Sequence, residues 1–194
     1  MASANTKKND KETIEENELY NTPLIALDSF YEQYSEVIDQ YATFYDPASG
    51  IGSITEWLKL KDKHVISSDI VDYGYQDFIE DFLTSNAEDN LFRYLDCIII
   101  NPPFTLTADF IDKALEYNCD ILMFNRMATI ESRKRAEKFH SREWNLECMY
   151  QFAFRVSCTK GVERQATSNS VAYSWYKITP KSSHTRATEL RWIV

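Results

Sequence analysis

Cys97-Ile98-Ile99-Ile100 runs directly into Asn101-Pro102-Pro103-Phe104, and this junction limits what the chain can build. Three consecutive β-branched residues after a small apolar one read as a buried strand. Neither proline can donate to a strand ladder, so the strand ends at Asn101. The result is a stiff elbow at the carboxyl end of a strand. It carries one amide side chain, the carbonyls of Asn101 and Pro102, and the ring of Phe104. Ligands of open α/β sheets sit in the crevice at the carboxyl ends of strands. Fixed acceptors beside a ring suit a planar group bearing an amino nitrogen. A Pro-Pro pair also serves simply to stop a strand, with Phe104 packing beneath it. The residues before the elbow decide between the two.

Ala42 to Tyr45 reads as a short strand that enters Asp46-Pro47-Ala48-Ser49-Gly50-Ile51-Gly52-Ser53. A helix with Ile54, Trp57, Leu58 and Leu60 starts near Ser53. The chain has four glycines, and two of them fall in this turn. Glycine is used where φ is positive or where a ligand comes close. A strand, a glycine turn and a helix start together suit the polar end of a nucleotide-like ligand. A dinucleotide fingerprint needs a third glycine where this chain has Thr55, which disfavours nicotinamide or flavin. His64 to Ser68 is the next strand, ending at Asp69. That acid lies 19 residues past Gly50, where a carboxylate accepts from ribose hydroxyls. In isolation it would be an ordinary surface aspartate.

The rest of the chain supplies alternating elements. Thr22 is a candidate N-cap, with Pro23 at the first helical position of a helix over 23–39. Asp77 to Thr84 is a short third strand or turn, and the elbow strand begins at Leu95. Thr105 or Thr107 can cap a helix through Phe110, Ile111, Ala114 and Leu115. Asp120 to Asn125 is the fifth strand, and a basic helix covers 130–140. The alternation predicts a mostly parallel sheet with helices on both faces. Two aromatic-rich strands, 146–156 and 170–178, have no helix between them and predict an antiparallel pair at the sheet edge. The loop at 157–169 is polar, and 189–194 reads as a further edge strand. Residues 1–18 read as a mobile polar arm and 19–194 as a single domain.

Composition narrows the class. No apolar run approaches a membrane span, and the polar N-terminus does not read as a signal peptide. Four cysteines without a C-x-x-C pair are expected to be buried thiols in a reducing cytoplasm. Three scattered histidines predict no metal site. The net charge of −9 is unevenly spread. Residues 1–124 carry 8 Lys/Arg against 24 Asp/Glu, a net of −16, and residues 125–194 carry 13 against 6, a net of +7. The basic segment is either a footprint for a polyanion or a solvated face.

Taken together, these stretches resemble the S-adenosylmethionine-dependent amino-methyltransferases, most closely the phage and bacterial adenine-N6 DNA methyltransferases. Asp46 to Gly52 resembles their D-P-x-x-G-x-G motif, and Asn101 to Phe104 their [DN]-P-P-[FYW] motif. Tyr20-Asn21-Thr22-Pro23 resembles the Thr-Pro element that precedes the first motif, and Asp81-Phe82-Leu83 the element that holds the cofactor's adenine.

The resemblance implies a Rossmann-like class I methyltransferase fold, S-adenosyl-L-methionine as cofactor and DNA as the partner. It places Tyr20, Thr22, Asp46, Ala48 and Gly50 near the cofactor's methionine end. Asp69 would sit at its ribose, and Asp81 and Phe82 at its adenine. Asn101 and Pro102 would grip the acceptor amine ahead of Pro103, with Phe104 stacking on a flipped base. Arg155, Lys160, Arg164, Lys177 and Lys181 would form a minimal basic clamp around the 157–169 loop, with phosphates as partners. RNA adenine, protein glutamine, a partner subunit or homodimer, and a silent scaffold remain open alternatives.

Overall fold

A computed structural model describes residues 18–166, 170–180 and 187–194. The expected arm therefore lies outside the described residues apart from Glu18, and so does Lys181.

The sheet is built around the junction that opens the sequence. β5 (Cys97–Ile100) is fully buried and lies between β2 (Thr43–Asp46) and β6 (Asp120–Arg126), parallel to both. Burial of each isoleucine contributes about 1.5–3 kcal/mol, which is why this run takes the centre. Beyond β2 follow β3 (His64–Asp69) and the two-residue β4 (Phe78–Ile79), also parallel. On the other side of β6 the direction reverses. β10 (Tyr173–Thr179) runs antiparallel to β6, and β7 (Asn145–Phe152) antiparallel to β10. β11 (Glu189–Ile193) closes the edge and runs parallel to β7. The order is β11-β7-β10-β6-β5-β2-β3-β4. The chain reverses its direction of travel across the sheet between β2 and β5, and a crevice opens there at their carboxyl ends.

Helices cover both faces, as the alternation predicts. α1 (Leu24–Asp39) and α2 (Ser53–Lys59) bury Leu27, Phe30, Ile54, Trp57 and Leu58 on one face. α3 (Thr107–Leu115) buries Phe110, Ile111 and Ala114 on the other. Trp175 anchors the first face. It is fully buried, stacks on Phe30 at 5.3 Å between centroids, and donates its Nε1–H to the Ala26 carbonyl at 3.1 Å.

Four local expectations change. Pro23, in extended geometry, occupies the N-cap position of α1, and the Thr22 side chain faces Asn101 instead. Neither Thr105 nor Thr107 caps α3. Leu106 precedes the helix, and the Thr107 hydroxyl bonds back to the carbonyl of Phe104 at 3.1 Å. The basic helix α4 spans only Arg133–His140, because residues 127–130 form a 3-10 turn. The described part of the polar loop forms strands that its composition does not suggest. β8 (Thr159–Lys160) pairs antiparallel with β9 (Gln165–Ala166) and with β1 (Tyr20–Asn21), forming a separate three-stranded sheet. Among the described residues no helix is long and apolar enough to cross a membrane. All four cysteines are buried and none forms a disulfide, and no cluster of metal-ligating side chains forms among the described residues.

Trp175→Ala removes the anchor of one face together with its bond to the Ala26 carbonyl. A loss of about 3–5 kcal/mol is expected in urea unfolding. A loss below about 1 kcal/mol would mean that α1 is held to the sheet by other contacts.

Candidate active site

The crevice at the carboxyl ends of β2, β3 and β5 is a cavity of about 210 Å³. It is too large for one water, and it has room for the polar end of a nucleotide-sized ligand. Its floor is the glycine turn, one wall is the tip of β3, and another is the elbow. Residues 18–22 cross it as a strap.

The turn works as the glycine spacing predicts. Gly50 and Gly52 both have positive φ, +52° and +75°. A Cβ on Gly52 would meet the Tyr75 side chain at 3.0 Å, so backbone and loop are packed against each other. Asp69 ties the turn to β3. Its Oδ2 accepts from the Gly50 N–H at 2.8 Å and its Oδ1 from the Val71 N–H at 3.0 Å. Burial raises its pKa despite those two bonds. Asp69, Ala48, Ser49 and Gly50 line the cavity, and the Ser49 hydroxyl is buried without a partner.

Asp46 lies one layer deeper than the resemblance implies. It is fully buried and does not line the cavity. Its Oδ2 accepts from the Thr55 hydroxyl at 2.8 Å, so the residue that breaks the dinucleotide pattern braces the turn. Its Oδ1 has no hydrogen-bond partner. Burial pushes the carboxyl up to about 7. The Thr55 bond opposes that shift and the nearby Asp69 adds to it.

At the elbow, Asn101 is held by the strap. Its Nδ2 donates to the Tyr20 carbonyl at 2.7 Å and to the Thr22 hydroxyl at 3.0 Å. A carbonyl can only accept, so the amide nitrogen must face Tyr20. Asn101 Oδ1 is thereby left as a buried acceptor without a partner. Pro102 is buried and Pro103 lines the cavity. Glu18 closes the rim by accepting from the Thr105 N–H at 3.1 Å and from its hydroxyl at 3.2 Å. The strap is tied in turn to the β8–β9 hairpin. Asn21 Nδ2 donates to the Gly161 carbonyl at 2.8 Å, and the Gly161 N–H bonds to the Leu19 carbonyl at 2.9 Å.

Other expected residues fall elsewhere. Phe104 is not an open platform, because the Arg126 guanidinium covers it at 3.6 Å from the ring centroid, with Tyr20 at 4.8 Å. Asp81 turns its carboxylate onto the Leu83 N–H at 3.0 Å, and Phe82 is buried against Phe110 and Tyr117. Neither lines the cavity. Lys177 leaves the basic clamp. It is 8 % exposed and bonds Glu147 at 2.9 Å, with Asp120, at the amino end of β6, 3.9 Å away. Arg155 and Arg164 are exposed and Lys160 half-buried, the latter two on the hairpin beside the strap. The sequence reading missed Ser49, Ile70, Tyr73 and Arg126. The first three flank Gly50 and Asp69, so the loop after an acidic strand tip was the available signal.

No protein-family model and no curated protein sequence matches the chain. Solved structures do. A Pyrococcus horikoshii protein described as a candidate RNA methyltransferase aligns with a TM-score of 0.63 at 18% identity, over 84% of this chain and 87% of its own. A Listeria monocytogenes protein described as a candidate class I S-adenosylmethionine-dependent methyltransferase aligns with 0.59 at 15%, over 89% and 65%. The Type ISP restriction-modification enzyme LlaGI, solved with a DNA substrate mimic, aligns with 0.61 at 12%, over 99% of this chain and 30% of its own. These likenesses show the fold, which is that of class I S-adenosylmethionine-dependent methyltransferases.

The buried Asp46 carboxyl predicts a specific pH dependence. Its ordinary value is 3.8 and its folded value about 7, so between these the folded chain holds a proton that the unfolded chain has released. Stability therefore falls as pH rises through that window and levels off above it. Asp46→Asn removes this linkage. In urea unfolding from about pH 4 to pH 8, the wild type is expected to lose stability relative to the variant up to about pH 7, then run parallel. Parallel profiles throughout would show that the buried carboxyl holds no proton.

Proposed function

We propose that the chain transfers a methyl group from S-adenosyl-L-methionine to the exocyclic amine of adenine in DNA. The observation that carries this reading is the Asn101 amide. Its nitrogen is committed to the Tyr20 carbonyl and the Thr22 hydroxyl, and its oxygen is a buried acceptor with nothing to accept from.

The residues present fit the cofactor. The unpartnered Ser49 hydroxyl and the Ala48–Gly50 backbone suit its methionine end. The Asp69 carboxylate has lone pairs left for ribose hydroxyls after its two backbone bonds. S-adenosylmethionine, when bound, supplies an electrophilic methyl group on a sulfonium.

The chain's own part is positioning. Asn101 Oδ1 and the Pro102 carbonyl would each accept one N–H of the amine. Held at both protons, the amine nitrogen keeps its remaining lone pair free for the methyl group. Such orientation is worth about 7–11 kcal/mol of barrier. The acceptor amine needs no strong base at the start, and the cavity offers none beyond Asp69 and the Thr105-bound Glu18. The likeness to a DNA-bound restriction-modification enzyme supports a DNA acceptor, although this chain spans less than a third of that enzyme. The likeness to the Pyrococcus horikoshii protein described as a candidate RNA methyltransferase favours an RNA acceptor as the second reading.

Labelled S-adenosylmethionine and unmethylated DNA test the proposal, with nucleoside analysis of the product. Label is expected as N6-methyladenine, and Asn101→Ala is expected to lower the rate by at least about 100-fold with cofactor binding retained. Label on RNA alone would change the acceptor. No transfer to either would overturn the reading. In calorimetry, Asp69→Ala is expected to weaken S-adenosylhomocysteine binding by about 1–3 kcal/mol. Unchanged affinity would free Asp69 from the ribose role.

A further inference from the structure

Arg126 has no counterpart among the motif residues, yet its guanidinium lies over the ring of Phe104, at the elbow next to the cavity. Its guanidinium carbon lies 3.6 Å from the Phe104 centroid and 5.8 Å from that of Tyr20. Its charge opposes the burial that raises the pKa of the Tyr173 hydroxyl. Among the described residues Arg126 forms no salt bridge, and its Nε is buried with no partner. A cation held by ring faces with a donor left unfilled is poorly compensated for its lost hydration.

The backbone beneath it is fixed. The Arg126 N–H bonds to Asn125 Oδ1 at 2.7 Å, its carbonyl accepts from the Tyr176 hydroxyl at 2.9 Å, and the next N–H, of Met127, reaches the Ala172 carbonyl at 2.8 Å. Only the side chain is therefore free to leave, by rotation about its own bonds. Lys160, paired in register with Tyr20, and Arg164 in the same hairpin bring further positive charge to this rim.

We infer that Arg126 is a removable plug over the acceptor slot. The guanidinium covers Phe104 while the slot is empty. It swings to a backbone phosphate of the incoming nucleic acid when a planar base takes its place on the ring. Guanidinium and base are both flat cores that stack on aromatic rings, so each can replace the other on Phe104. This rests on the nucleic-acid acceptor proposed above.

Two probes test it, both with the cofactor cavity saturated by S-adenosylhomocysteine. The first is 2-aminopurine riboside, which carries no phosphate and whose fluorescence is quenched on stacking. The second is a mixed-sequence single-stranded oligodeoxynucleotide, titrated at several salt concentrations. In Arg126→Ala the nucleoside is expected to bind several-fold tighter, because the slot no longer has to be emptied first. The salt slope for the oligonucleotide is expected to become shallower by about 0.7, one phosphate contact on a single strand. Arg126→Met keeps the apolar cover and removes the charge. It is expected to bind the nucleoside as the wild type does and to show the slope of the alanine variant. Weaker nucleoside binding in Arg126→Ala, equal nucleoside affinity in all three proteins, or an unchanged salt slope would overturn the plug. A wild type that binds S-adenosylhomocysteine but neither probe would overturn the nucleic-acid acceptor itself, and the plug with it.

Discussion

The bond from Asn101 Nδ2 to the Tyr20 carbonyl joins residues 81 positions apart, and the whole site depends on it. An amide side chain can face either way, and its two ends have opposite chemistry. Here the choice is made outside the elbow, by a backbone carbonyl that can only accept. The Thr22 hydroxyl takes the second hydrogen of the same nitrogen. The strap thereby acts on the elbow's chemistry as well as covering the cavity: without it the Asn101 oxygen would have no fixed direction. The two prolines complete the constraint from the other side by fixing φ after Asn101.

The uneven charge of the chain has a structural explanation that its sum conceals. Several basic residues of the second half pair with acids of the first. Lys138 meets Asp112 at 2.6 Å, Lys177 approaches Asp120 at 3.9 Å, and Arg191 approaches Glu36 at 3.9 Å. Part of the asymmetry is thus the cost of holding edge strands and a helix against an acidic body, at a modest energy for each exposed pair. Among the described residues Arg126, Lys134, Arg155, Lys160 and Arg164 take no part in an ion pair. The unpaired charge includes the carboxyl end of β6 and the hairpin next to the strap.

Much of this was legible in the sequence. The Ile98–Ile100 run, the glycine pair and the acid after His64–Ser68 each report a local backbone demand, and the fold meets each where it was expected. Residues whose roles depend on distant partners were not legible. Lys177 reads as a surface cation on its strand, but Glu147 and Asp120 bury it from neighbouring strands. Thr22 reads as a helix cap, but the nearest donor in space belongs to Asn101. Phe104 reads as a free ring, since nothing near it in sequence announces Arg126 from the end of β6. The polar hairpin was invisible because two-residue strands have no periodicity to detect.

Most of the buried core and the bond that orients Asn101 belong to different sheets in this molecule. The central sheet has eight strands, and two of its inner strands, β5 and β10, are fully buried. It holds the glycine turn and the elbow wherever the chain folds at all. The bond that orients Asn101 belongs instead to the three-stranded sheet of β1, β8 and β9, each two residues long. Ladders that short are marginal alone and depend on what packs beneath them. What lies beneath is the cavity. A ligand there is in contact with Tyr20, Asn21 and Thr22 from below, while the hairpin faces outward with Lys160 and Arg164. Any ligand that binds only the closed strap stabilises it by mass action. The small sheet therefore couples the cavity to the elbow: whatever steadies the strap also steadies the Asn101 amide, and the same ladder holds the β8–β9 hairpin.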